Sequence, residues 1–85
     1  MLIVSQDRET IVNFNNCVKI ELGKYSTKCC WTIDAYTTTD TIVELGRYEY
    51  YTSALEALTR IAECEGACNV FYMPEESINE PRQSD

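Results

Sequence analysis

Five cysteines and no histidine are the residues that first raise the question of chemistry in this chain. Cys64 and Cys68 stand four positions apart around Gly66 in the stretch ECEGACNVFY. A structural zinc site takes four ligands, as a rule Cys or His in close pairs, and C-x3-C is not the usual C-x2-C knuckle. The remaining thiols are Cys17, Cys29 and Cys30. Neighbouring strand residues point to opposite faces, so Cys29 and Cys30 do not join one site without distortion. A redox pair is best served by C-x-x-C at a helix N-terminus, where the dipole stabilises the thiolate. Here the pair falls at the other end of a helical pattern. The expectation is five ordinary thiols, no metal and no cofactor, with Gly66 present to end a helix.

The second candidate is the aromatic run RYEYY at 47–51. Arg and Tyr are favoured at interface hot spots. Arg47, Tyr48, Tyr50 and Tyr51 are therefore candidate partner-binding residues, with Tyr36 and Thr32 on a neighbouring strand and Glu44 on the same strand extending the patch. The competing expectation is that one or two of these tyrosines pack under the start of a helix. Trp31 is expected as the central core aromatic and Asp34 as a solvated charge. No catalytic residue emerges. A Ser- or Cys-based relay lacks its histidine. Gly23, Gly46 and Gly66 are isolated, so no glycine-rich loop cradles a phosphate. Asp34 and Glu44 form a pair of acids on neighbouring strands, but nothing in the sequence raises either pKa. The chain is not expected to be an enzyme.

These residues must be held by elements that the pattern of apolar positions makes visible. MLIVS and TIVNF read as two short strands, with a bend or bulge at Asn15 and Asn16. CVKIELG, CCWTIDAYT and TIVELGRYEY alternate with period two, the mark of half-buried strands, and read as an antiparallel meander with one wet side. Val18, Ile20, Leu22, Cys29, Trp31, Ile33, Ala35, Val43 and Leu45 form the expected core face. The period then changes. TSALEALTRIAECEG carries Leu55, Leu58, Ile61 and Ala62 at helical spacing, which predicts a helix over about 53–65. Ser53 and Glu56 fit a capping box, with Thr52 a rival N-cap. A short strand from Asn69 to Met73 ends at Pro74. The fold class is α+β: an antiparallel sheet of about four to five strands, one helix packed on it and a short final strand. Residues 1–74 form one domain, and the four acids and one arginine of EESINEPRQSD, 75–85, form a loose tail.

Fourteen acidic and seven basic residues give a net charge of −7. Such a surface repels phosphate backbones and anionic membranes, so neither direct nucleic-acid binding nor membrane association is expected. It suits solubility or a basic protein partner. No stretch has the roughly 18 apolar residues of a membrane span. The N-terminus lacks the basic start and long apolar run of a signal peptide. The expected location is cytoplasmic, where thiols stay reduced.

The opening MLIVSQDRETIVNF, the passage LGRYEYYTSALEALTRIAE and the ending FYMPEE together resemble small proteins carried by Gram-positive bacteria and their phages and prophages. The resemblance covers roughly two thirds of the chain and leaves out the middle, from Cys17 to Asp40. It implies a context rather than an activity: a small acidic accessory protein that binds a host component, in some cases one of immunity. The expected function is binding a basic host protein. Two other readings stand beside it. One is a nucleotide-signal binder using Lys19, Arg47 and Arg60. The other is a self-associating module, a homodimer, favoured by exposed strand edges.

Overall fold

The computed structural model describes residues 1–25 and 30–76. Cys29 and the acidic stretch 77–85 lie outside the described residues. In chain order the elements are β1 (Leu2–Val4), β2 (Ile11–Asn13), a 3-10 turn (Phe14–Asn16), β3 (Cys17–Tyr25), β4 (Cys30–Thr37), β5 (Ile42–Tyr48), α1 (Tyr51–Cys64) and β6 (Val70–Tyr72). The α+β class and the antiparallel meander are as the alternation predicts. The strands do not share one sheet, however. They form two sheets of three, in the orders β2-β1-β6 and β3-β4-β5.

The larger sheet follows from its period-two pattern. Ile20, Ala35 and Val43 align across it, and Leu22 sits opposite Ile33. Ile33, Ala35 and Leu45 are buried on the helix side. Val18 departs from the pattern. An irregularity in register between Cys17 and Lys19 takes it out of the row, and it is 68% exposed. A bulge adds one residue to one strand and so breaks the alternation at that point.

The smaller sheet has β1 at its centre. β2 returns antiparallel, and β6 lies parallel to β1, with Leu2 opposite Val70 and Val4 opposite Tyr72. Arg8 adopts a positive φ in the β1–β2 turn, and its guanidinium donates to the carbonyls of Ser5 and Met73. Gln6 joins the two sheets. Its backbone N–H donates to the Leu45 carbonyl at 2.7 Å, and its side-chain oxygen accepts from the Arg47 N–H at 2.9 Å.

Helix α1 covers one face of the larger sheet through Ala54, Ala57 and Ile61, with Leu58 half-buried. The expected face of Leu55, Leu58, Ile61 and Ala62 is rotated, leaving Leu55 and Ala62 exposed. Small residues belong under this helix because Tyr48, Ile33 and Leu45 already fill the space below it. The helix also starts two residues earlier than expected. Its N-cap is Tyr50, without a side-chain cap bond, and Ser53 lies inside the helix with its hydroxyl unpartnered. A carboxylate from beyond β6 instead holds the residues that lead into the helix. The Glu76 carboxylate accepts from the N–H groups of Glu49 (2.6 Å) and Tyr50 (3.0 Å). Gly66, at φ +85°, turns the chain just beyond the helix as expected.

Tyr48, not Trp31, is the central aromatic. It is 1% exposed, while Trp31 is half-buried and meets the Tyr51 ring edge-on at 5.0 Å. The Tyr48 ring folds back over Gly46, where a Cβ would come within 3.0 Å of it. Its hydroxyl donates to the Pro74 carbonyl at 2.7 Å. Burial pushes this hydroxyl's pKa well above its ordinary value of 10, the charge of Glu76 adds to the shift, and Arg8 opposes it. The native state therefore holds the phenolic proton more tightly than the unfolded chain. The resulting stability is intact below about pH 10 and is lost as pH rises beyond it. Tyr48→Phe is expected to cost about 1 kcal/mol near neutral pH, and to show a shallower loss above about pH 10. Urea titrations of both proteins at neutral and alkaline pH measure the two effects.

Candidate functional site

The face of the larger sheet opposite α1 carries the side chains that alternation turns away from the core. Lys19 and Glu21 come from β3, Thr32, Asp34 and Tyr36 from β4, and Ile42, Glu44 and Arg47 from β5. Register places Glu21 opposite Asp34, and Asp34 opposite Glu44. Three carboxylates thus stand in one row across three strands.

Each carboxylate has its own environment. Arg47 grips Glu44 through two donors, at 3.2 and 3.1 Å. Lys19 approaches Glu21 at 3.4 Å and also lies 4.6 Å from the centre of the Tyr36 ring. Asp34, between them, faces no cation in either sheet register, and among the described residues it accepts only from the Thr32 hydroxyl, at 3.0 Å. Partial burial pushes its pKa up. The Thr32 bond opposes this, while Glu44 and Glu21 add to it. The sequence does not show this means of raising a carboxyl pKa, because it arises from register. Next to the row, Tyr36 lies opposite Ile42, which is 59% exposed. Together with Val18 and Thr41 they line a shallow recess of about 280 Å³.

The structure divides the residues singled out in the sequence. Arg47, Glu44 and Tyr36 share the outer face, with Thr32 buried among them. Tyr48 is withdrawn into the core on the other side. Tyr50 and Tyr51 stand at the start of α1, exposed and away from this face, with Tyr51 against Trp31. Sequence reasoning missed Glu21 and Ile42, placed Lys19 only in a nucleotide-binding reading, and took Asp34 for a solvated charge or one of an acid pair with Glu44. The alternation holds the signal for their common side, but the alignment of the three acids needs the register. Lys19, Arg47 and Arg60 do not converge. The first two lie on opposite edge strands of the sheet, while Arg60 is on the helix, 3.7 Å from Glu56.

The cysteines differ from expectation. Cys64 and Cys68 are joined in a disulfide, with their Cα atoms 5.4 Å apart. The turn at Gly66 brings them within bridging range. Cys17 and Cys30 are free and half-buried, and burial raises the Cys17 pKa, the opposite of what a reactive thiolate needs. Among the described residues no three Cys, Asp or Glu side chains converge to hold a metal ion, and no helix is long and apolar enough to cross a membrane. No family model, curated protein or solved structure matches the chain.

Two outcomes follow from this geometry. Because the folded pKa of Asp34 is raised, the stability it lends is present below its ordinary value of 3.8 and is lost as pH rises through the folded value. Asp34→Asn, which keeps an acceptor for Thr32, is therefore expected to raise the melting temperature at neutral pH. The two proteins should converge in acid, and a thermal melt series across pH tests both points. Reducing the Cys64–Cys68 bridge opens a very short loop and should cost about 2 kcal/mol, measured by urea unfolding with and without reductant.

Proposed function

We propose that this chain is a non-enzymatic binding protein whose outer sheet face docks on a basic surface of a protein partner. The row of Glu21, Asp34 and Glu44 carries the reading. It gathers three like charges on a flat face that the chain's own helix leaves uncovered. Lys19 and Arg47 neutralise its two ends. At its centre Asp34 has, among the described residues, only a hydroxyl donor, and it gains from any guanidinium or ammonium brought against it. Tyr36 and Ile42 supply apolar contact beside the charge, the mixture that anchors protein interfaces. A net charge of −7 would steer a basic partner toward the molecule and repel nucleic acid.

The resemblance to small proteins of Gram-positive bacteria and their phages adds a context. The partner is a host protein, and the chain acts as an accessory or anti-defence inhibitor by covering a surface that serves anionic ligands. The proposed setting is cytoplasmic. Reducing conditions there would open the Cys64–Cys68 bridge, but the bridge lies at the far end of α1 and the binding face does not use it.

Affinity purification from a Gram-positive lysate at low salt, with mass spectrometry, tests the proposal. The bait is compared with a Glu21→Gln, Asp34→Asn, Glu44→Gln variant. The expected result is a basic protein held by the native chain, absent from the variant and released as salt rises and the Debye length shrinks from about 8 Å toward about 3 Å. Equal capture by both baits, or no partner at low salt, would overturn it.

A further inference from the structure

The four sheet edges are not protected equally. β2 and β6 are three residues long, too short to template much pairing. The outer edge of β5 is occupied in part by Gln6, through its bonds to Leu45 and Arg47. β3 is nine residues long, and among the described residues nothing pairs with its outer edge. Long open edges are ordinarily blunted, because they recruit other strands. The bulge at Val18 blunts only the N-terminal end of this one.

We infer that a second copy of this chain occupies the β3 edge, antiparallel and two-fold symmetric, with Ile20 facing Ile20 of the second copy. The sequence KIE, residues 19–21, is self-complementary about Ile20. In that register Lys19 faces Glu21 of the second copy and Glu21 faces its Lys19, while Val18, displaced by the bulge, lies outside the ladder. A two-fold axis normal to the sheet permits only registers centred on a residue. Centring on Lys19 or on Glu21 sets like charges face to face, which is destabilising. Centring on Leu22 sets Ile20 against Lys24. Of these centres, Ile20 is the one that pairs both charges with their opposites.

The charge balance favours the same place. In a chain of −7, β3 holds two lysines and one glutamate, so two copies meet there without acid repelling acid. Apolar surface favours it too. Val18 is 68% exposed, and a recess of about 290 Å³ runs beside the strand between Ile20, Phe14 and Leu58. The axis places both helices on one side of a continuous six-stranded sheet, so the two recesses flank the seam.

Sedimentation equilibrium over a wide concentration range tests this. The native chain should dimerise. Lys19→Glu and Glu21→Lys should each weaken dimerisation by about tenfold or more. An equimolar mixture of the two variants should recover it, because the acidic edge of one then faces the basic edge of the other. That recovery arises between chains, so disturbance of the Lys19–Glu21 pair within one chain does not produce it. The double reversal K19E/E21K should self-associate like the native chain. A native protein that stays monomeric throughout overturns the inference. So do single variants that dimerise normally, or a mixture that fails to associate while the native chain dimerises.

Discussion

The Tyr48 hydroxyl donates to the Pro74 carbonyl across 26 residues of sequence, and the two sheets meet around that bond. The ring lies on Gly46 at the end of β5, under the helix. The carbonyl belongs to the segment that has just left β6. Gln6 reaches the same carbonyl from the end of β1, at 3.4 Å, and Arg8 holds the preceding one. One aromatic side chain is thus the point where the meander, the helix and the β1-centred sheet come into contact. Met73, fully buried beside it, closes the core from the C-terminal side.

This arrangement decides which face is left for recognition. The helix and the smaller sheet between them use the inner side of the meander, and the last described residues tie down the helix start through Glu76. Among the described residues no element then covers the outer side. What it displays is set by alternation and register alone: acids in line, cations at the ends, an apolar corner at Tyr36 and Ile42. The tyrosines that looked most like an anchor cluster are spent on structure or turned elsewhere. Consecutive residues at the end of a strand and the start of a helix do not share a face.

Local pattern made the meander, the helix and its Gly66 terminus legible in the sequence. Ile33, Ala35 and Leu45 fell on the side that period two assigns them. Legibility failed where a residue's fate depends on distant partners. Val18 was misplaced because Asn15 and Asn16 mark a bend or bulge without fixing which residue it displaces. The second sheet was missed because β1 pairs with β6, some 68 positions away, and three-residue strands have too little alternation to declare their neighbours. Leu55 looked like core because leucine usually is. The site was partly visible: Glu44, Arg47 and Tyr36 were picked out for their residue types, but Glu21 and Asp34 gain their meaning only from register.

The parallel pairing of β1 with β6 also sets an order of events in time. During synthesis the meander can form from contiguous segments as they emerge. β1 is made first, yet one flank of it stays open until Val70, Phe71 and Tyr72 have cleared the ribosome. Its apolar residues Leu2, Ile3 and Val4 then wait through 68 further residues of synthesis for that neighbour. Loop closure over that span is slow, and an unfinished sheet with an apolar central strand is the species on which a chaperone would act.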